Sequence, residues 1–451
     1  MIMLLCVLSM IMSYVLFVVL SKRREQECFV LDYECFKPSD ERIVSTQLFQ
    51  HLFIDKFKNR DIELRKFLAK ATLNADISNR SYAPRTVFNN EPANPTLADS
   101  IFELEEFFLD TIQKLFHRSG ISPKDIDVMV VNVSLLTPAP SLAARIINHY
   151  KLRDDIKVFN LTGMGCSANL ISIDIVRNIF KCHKNMCALV VSTESLGPSW
   201  YEGKDKSMLL SNCLFRSGGC ILALTNNPAL KHKAMFKLMF LTRIHHGARD
   251  DAYDCCKQAE DEEGREGFFL GRGLPKAANI ALEENLRTIT PKIISMRELI
   301  RYIVNSKLRR SSDTTKINFK NIVDHFSIHP GGRAVLNGVQ KSLELSDYDI
   351  EPSKMTLRRF GNMSSPSIWY IMGYLEAKKR LRKGDKVLMI SFGSGFKCNS
   401  CVWEVLRDLG SGNVWKECIN EYPPKAKDPL YSFVENYFKE LHDDTLTSTG
   451  K

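Results

Sequence analysis

Between residues 97 and 225 the chain alternates two kinds of apolar pattern, and this alternation narrows the possible folds more than any other feature. Residues 126–133 and 188–192 are short β-branched runs of the kind buried on both faces of a sheet. Residues 102–116, 142–150 and 169–180 instead repeat their apolar positions at helical spacing. Residues 157–160 make a further short strand candidate. Strands interleaved with helices in this way define an α/β architecture. A similar succession recurs downstream, with a basic turn and a buried run at 386–391 after a helix over 368–379. Phe159-Asn160-Leu161-Thr162-Gly163-Met164-Gly165-Cys166 and Arg358-Arg359-Phe360-Gly361-Asn362 open the two copies. Each reads as a strand, a glycine turn and a small polar cluster ahead of an apolar helix. The two segments predict similar halves, with Cys166 and Asn362 at equivalent helix N-termini, 196 residues apart.

Other parts of the chain read differently. Residues 1–20 carry no charge and are followed by Ser21-Lys22-Arg23-Arg24. A run of this length can span a bilayer as one helix. The basic residues follow the run, which favours a signal anchor with a cytosolic body over a cleaved signal peptide. Thirteen scattered cysteines in 451 residues fit a reducing compartment better than a disulfide scaffold. The net charge is +10. No basic block is interleaved with aromatics, so an anionic substrate or membrane surface is expected rather than nucleic acid. Residues 44–73 read as an amphipathic helix packed on the body or lying on a membrane surface. Residues 82–95 read as a loop, and residues 250–267, which are highly charged, as a solvated loop. Residues 307–316 read as a loop and hinge, and the tail beyond Leu441 as frayed.

Four clusters carry chemistry. Gly163-Met164-Gly165-Cys166-Ser167-Ala168 places a cysteine where a helix opens. The unpaired N–H groups and positive potential there lower a thiol's pKa and can hold an oxyanion. A buried structural cysteine is the alternative. His325-Phe326-Ser327-Ile328-His329-Pro330-Gly331-Gly332 offers an acid/base or hydrogen-bonding histidine on a strand or turn. Zinc is disfavoured, because no third ligand follows at suitable spacing. Phe360-Gly361-Asn362-Met363-Ser364-Ser365 could be a helix cap or part of a site. Phe392-Gly393-Ser394-Gly395-Phe396 lacks phosphate-loop spacing and suits close backbone approach to a reacting centre. Cys398-Asn399-Ser400-Cys401 has no partner pair and lies in strand context. Cys255-Cys256 reads as a surface accident. His245-His246 beside Asp250 and Asp251 reads as supporting or structural rather than metal-binding.

Taken together, Cys166, His329 and Asn362 resemble the Cys-His-Asn set of thiolase-fold condensing enzymes. The closer resemblance is to the plant 3-ketoacyl-CoA synthases of very-long-chain fatty acid elongation. It is carried by CFKP (35–38), VVNVSLLTPAPSLAARIINHYKLRDDIKVFNLTGMGCSANLISIDI (130–175), VVSTES (190–195) and SMLLSNCLFRSGG (207–219). It continues through HFSIHPGGRAVL (325–336), RRFGNMSSPSIWY (358–370) and SFGSGFKCNS (391–400). The resemblance implies a thiolase-like α/β fold, with two pseudo-symmetric halves in a layered αβαβα arrangement and an N-terminal transmembrane helix. The corresponding division is an anchor at 1–20, a juxtamembrane segment at 21–96, a first half at 97–310, a second half at 311–425 and a tail at 426–451.

The implied reaction is decarboxylative condensation of malonyl-CoA with a long-chain acyl-CoA. Cys166 would carry the acyl group, while His329 and Asn362 would bind the malonyl thioester carbonyl and stabilise the enolate. The backbone N–H groups of Cys166 and Gly395 would form the acyl oxyanion hole, with His245 and His325 in support. No metal or redox cofactor is implied. The implied partners are acyl-CoA and malonyl-CoA, the endoplasmic reticulum membrane, a second copy in a homodimer, and the ketoacyl-CoA reductase, hydroxyacyl-CoA dehydratase and enoyl-CoA reductase of the elongase. Two alternatives remain at this point: a polyketide-synthase-like enzyme with another starter, and a catalytically silent membrane scaffold. The family usually has two N-terminal membrane helices where this chain shows one. Residues 70–84 and the helix near residue 100 also depart from the family pattern.

Overall fold

The computed structural model describes residues 27–51, 60–88, 95–295, 297–301, 317–410 and 413–448. The expected anchor at 1–20 and the expected hinge at 307–316 lie outside these residues. No helix among the described residues is long and apolar enough to cross a membrane.

The strands are β1 (Phe29–Cys35), β2 (Ile126–Asn132), β3 (Lys157–Leu161), β4 (Cys187–Thr193), β5 (Gly219–Thr225) and β6 (Phe236–His245), followed by β7 (Cys256–Glu260), β8 (Glu266–Leu270), β9 (His325–Ile328), β10 (Lys386–Gly393) and β11 (Lys397–Val405). Nine form one sheet in the order β3-β2-β4-β5-β1-β6-β11-β10-β9, and β7 pairs with β8 as a separate hairpin. The pairing pattern repeats about the β1–β6 contact. β2 runs parallel to β4, and β4, β5 and β1 follow one another antiparallel. Correspondingly, β9 runs parallel to β10, and β10, β11 and β6 follow one another antiparallel.

Alternating side chains send each half of the sheet into two cores. Val128, Val130, Ala188 and Val190 face a core that they share with Val387 and Met389 from the other half. Two helices fill that core, Ala168–Cys182 and Ser367–Ala377, and ten consecutive residues of the second, from Ser367 to Glu376, are buried. Met129, Val131, Leu189 and Val191 pack outward on Leu97–Ser119 and Leu142–Tyr150. Leu388 and Ile390 pack outward on Leu274–Ile293 and Arg333–Ser342. The helix Leu97–Ser119 is closed by a Thr96–Asp99 capping box and by Gly120 at φ 70°.

Four sequence expectations are corrected. Arg358–Phe360 is not a strand but the last turn of the helix Asp347–Phe360, so among the described residues the second half shows no counterpart of β3. That helix contains Pro352, which removes an intrahelical bond, and the freed Tyr348 carbonyl accepts a hydrogen bond from Arg380 at 3.2 Å. Residues 250–267 are not one solvated loop. They form a short helix, Asp250–Tyr253, then β7, and then the turn that opens β8. Their charges crowd into that turn, where Asp261 accepts from the Glu263 and Arg265 N–H groups. Cys255 is buried rather than on the surface, and its thiol donates to the Ala252 carbonyl. The tail beyond Leu441 continues as helix, within Pro429–Ser448.

The single helix expected over 44–73 is seen as Thr46–Gln50 and Ile62–Ala75, with 52–59 outside the described residues. Ile62–Ala75 is packed on the body: Leu64 and Leu68 share a core with Leu430, Val434 and Leu441 of the last helix.

Candidate active site

The peptide leaves β3 at Leu161 and turns sharply through Gly163 and Gly165, at φ 64° and 66°. Gly165 is also in contact across the sheet, because a Cβ there would lie 2.5 Å from Ser394 Oγ and 2.8 Å from Ser394 N. The turn delivers Cys166 into a single 3-10 turn, Gly165–Ser167, that runs directly into the helix Ala168–Cys182. Its carbonyl accepts a hydrogen bond from Ser391 Oγ at 2.8 Å, which ties the nucleophile candidate to the end of β10.

Asn362 reaches the same place from the other half. Its N–H donates to the Leu214 carbonyl, and its carbonyl accepts from the Arg216 N–H, which makes an isolated bridge to Phe215. Asn362 Oδ1 accepts the Ser364 N–H at 2.8 Å, which leaves the amide's N–H donors uncommitted, and the side chain is near enough to the Cys166 thiol to favour its charged form. Ser364 is held at φ 64°, a strained conformation for a residue with a side chain, and acts on Cys166 in the same direction.

His329 follows the end of β9, and its N–H donates to the Ile390 carbonyl, one residue before Ser391. The imidazole is 2% exposed, and neither ring nitrogen has a hydrogen-bond partner among the described residues. Burial alone pushes its pKa down to about 3, so the ring is neutral at working pH.

Cys166 opens onto a cavity of about 550 Å³. Leu135, Met164, Leu196, Phe215 and Phe268 supply apolar lining, with the two phenyl rings edge to face at 5.5 Å. The hairpin β7–β8 forms one wall: Gln258 and Phe268 are directly paired and face the same way as Cys256. His245 and Gly395 also line the cavity, and His245 Nδ1 accepts the Gly247 N–H. His325 does not line it. At the far end of β9 its Nε2 meets the Asp385 carboxylate at 3.0 Å, joining the strand to the turn before β10. His246, buried, pairs with Glu284. No group of three metal-ligating side chains occurs among the described residues.

The thiol's electrostatics differ from the sequence expectation. Burial pushes the Cys166 pKa up to about 11, and the Glu194 carboxylate adds to the rise. Hydrogen bonds from Ser364 and Asn362 offset this only in part. Desolvation of the thiolate therefore outweighs the helix terminus. Glu194 went unassigned in the sequence, although its motif, Val190–Ser195, was noted. It follows β4, accepts the N–H groups of Ser134 and Leu135 at 2.8 Å each, and lies 3.4 Å from Ser364 Oγ. Burial raises its pKa to about 7. Its signal was a lone carboxylate directly after an apolar strand. Lys397, 5% exposed in the cavity wall, was likewise unassigned.

Fold and site together define a thiolase-type condensing-enzyme framework with a cysteine at its centre. The chain superposes on a fungal type III polyketide synthase, ORAS, with a TM-score of 0.64 at 17% identity, covering 84% of this chain and 99% of that one. The C-terminal type III polyketide synthase domain of Steely1 from Dictyostelium gives 0.65 at 20% identity, with the same coverage. Residues 20–311 match the family described as FAE1/Type III polyketide synthase-like protein, and residues 270–407 match the chalcone and stilbene synthase C-terminal domain. The chain is 54% identical to 3-ketoacyl-CoA synthase 12 of Arabidopsis thaliana, covering 93% of each chain. It is 52% identical to 3-ketoacyl-CoA synthase 3 of the same plant, covering 98% of this chain and 97% of that one. The chain belongs to the plant 3-ketoacyl-CoA synthase family, acyltransferases that act as condensing enzymes of very-long-chain fatty acid elongation.

Proposed function

We propose that this chain condenses a long-chain acyl-CoA with malonyl-CoA through an acyl-Cys166 intermediate, releasing CO2 and CoA and giving a 3-ketoacyl-CoA two carbons longer. The observation that carries the reading is the buried, neutral and unpartnered imidazole of His329, a residue whose backbone N–H binds Ile390 next to the Ser391 that holds the Cys166 carbonyl, together with the Asn362 amide near the Cys166 thiol. Two neutral donors suit a thioester carbonyl that becomes an enolate, because they strengthen as charge develops and bind the neutral ground state only weakly. Cys166 first gives up its thiol proton and attacks the primer thioester, and CoA leaves with that proton. The N–H groups of Cys166 and Gly395 hold the oxyanion of that step. His329 and Asn362 then hold the malonyl thioester oxygen while the carboxylate departs as CO2. The resulting carbanion attacks acyl-Cys166, the C–S bond breaks, and the released thiolate takes a proton from solvent to regenerate the thiol.

His245 borders the cavity and supports the Gly395 side. His325 acts only through the β9–β10 frame. We place the anchor at 1–20 in the endoplasmic reticulum membrane with the body in the cytosol. The juxtamembrane segment is 21–96, the first half 97–310, the second half 311–425 and the tail 426–451, with the halves arranged in αβαβα layers. The protein works as a homodimer with the elongase reductases and dehydratase.

The test is expression in heterologous microsomes with long-chain acyl-CoA and labelled malonyl-CoA. Cys166→Ala abolishes acyl-enzyme and product. Asn362→Ala and His329→Ala load the primer, read by intact mass, and fail to condense. Normal condensation by Cys166→Ala sinks the mechanism, and full product from either of the other two removes its assigned role.

A further inference from the structure

Lys397 is the first residue of β11, directly opposite His245 of β6 and Gly393 of β10. It is 5% exposed and lines the Cys166 cavity. Its ammonium donates to the Ser394 carbonyl and has no carboxylate partner among the described residues. An ammonium has three N–H donors, and burying an unpaired cation is costly unless something anionic meets it. The carboxylate on the same cavity, Glu194, is already engaged by Ser134, Leu135 and Ser364. The Cys166 and Cys256 thiols line the same cavity and are near enough for their charged forms to bear on Lys397.

Resting on the condensation reading above, we infer that Lys397 is the binding residue for the carboxylate of the malonyl extender. Of the groups that must come to Cys166, the primer chain, its thioester and the malonyl thioester are neutral, and only the malonyl carboxylate is anionic. A cation in the wall therefore selects an extender that can decarboxylate over an acetyl ester that cannot. The contact is still held as the C–C bond begins to break, so it binds ground state and transition state about alike and lowers KM without raising kcat.

The test uses the full-length chain in the Cys166→Ala background, with malonyl-CoA and acetyl-CoA titrated by calorimetry. Lys397→Gln keeps a donor for the Ser394 carbonyl and removes the charge. Its malonyl-CoA affinity is expected to fall about tenfold or more, as for loss of a charged hydrogen bond, while acetyl-CoA affinity stays unchanged. Lys397→Arg is expected to keep the malonyl preference. In the Cys166-containing enzyme, Lys397→Gln is expected to raise KM for malonyl-CoA while kcat holds and acyl loading of Cys166 is normal. Equal loss for both esters would make Lys397 a support of the Ser394–Gly395 loop and overturn the inference, as would no loss for either. A parent chain that binds neither ester would overturn the condensation reading itself.

Discussion

Gly165→Ala tests whether the contact between the Cys166 turn and the Ser394–Gly395 loop is as tight as the structure shows. The added methyl meets two obstacles. The backbone at φ 66° is left-handed, which costs a residue with a Cβ about 1–2 kcal/mol. The methyl would also lie 2.5 Å from Ser394 Oγ and 2.8 Å from Ser394 N, and a backbone nitrogen cannot swing aside as a flexible side chain can. Retreat of that loop is opposed by Lys397, whose ammonium holds the Ser394 carbonyl. Overpacking of this kind adds about 1–3 kcal/mol. The control lies two residues away: Gly163 has φ 64° with nothing within 4 Å of its Cβ position, so Gly163→Ala suffers the strain alone. Denaturant unfolding followed by the fluorescence of buried Trp369, Trp403 and Trp415 reads both variants. Gly165→Ala should be the less stable by about the overpacking term and should also load acyl groups more slowly, because Gly395 is pushed away from Cys166. Equal destabilisation of the two variants, or a larger loss for Gly163→Ala, refutes the close approach.

Three further outcomes follow from the buried charges. Iodoacetamide alkylation of Cys166 should accelerate with pH until close to 11, and a plateau below pH 9 would mean that the helix terminus prevails over burial. Glu194 binds its proton more tightly in the folded chain, at about 7, than at its ordinary 4.5, so its contribution to stability falls as pH rises between these values and is level above them. Glu194→Gln, whose amide oxygen can still accept from Ser134 and Leu135, should therefore be more stable than the parent at pH 8, by as much as about 3 kcal/mol, with no gain below pH 4.5. An equal change at both pH values would show that the carboxyl is not desolvated. His329, with its pKa near 3, should stay neutral throughout the working range, so the acid limb of the activity profile should be unmoved in any variant that changes only the surroundings of His329. Ring proton shifts that titrate near 6.5 would contradict this.

The parts of the fold that were legible are those whose signal is local. Residues 126–133, 188–192 and 386–391 are β-branched runs buried on both faces, and they became β2, β4 and β10. The helix over 142–150 appeared with those bounds, because Ser141 caps it and its apolar residues keep helical spacing. Cys166, His329 and Asn362 stand out as candidates in the sequence because turn-forming residues surround each of them. The second-half strand was misread because the helix leading to Phe360 is set by Ser346 and Asp349 far upstream, and Pro352 hides its continuity. The hairpin at 256–270 was obscured by the charges of its turn, while the residues that matter to the cavity are Cys256, Gln258 and Phe268 on its inner face. Lys397 has no signal in the sequence, and Glu194 shows there only as a carboxylate directly after an apolar strand. Their roles depend on burial, and burial is a property of what the other half of the sheet brings against them.

The buried groups together suit decarboxylation better than a generally polar cleft would. Thiol, imidazole and amide are all uncharged in the resting site, and the carboxyl of Glu194 is poised near neutrality. A malonyl carboxylate entering such a place gives up its hydration, which favours its departure as neutral CO2, while the enolate left behind finds preorganised donors. Lys397 stands where strand β11 begins, on the Gly395 side of the cavity, whereas His329 follows the end of β9 with its backbone N–H on the Ile390 carbonyl. On the proposed mechanism, the group that attracts the carboxylate begins β11, whereas the groups that stabilise the enolate follow β9 and the helix Asp347–Phe360. Removing the charge at Lys397 should therefore alter which ester is held, and removing His329 or Asn362 should alter what becomes of it. If both kinds of variant lost affinity and turnover in equal proportion, binding and chemistry would not be separable in this site, and the division of labour drawn from its geometry would fail.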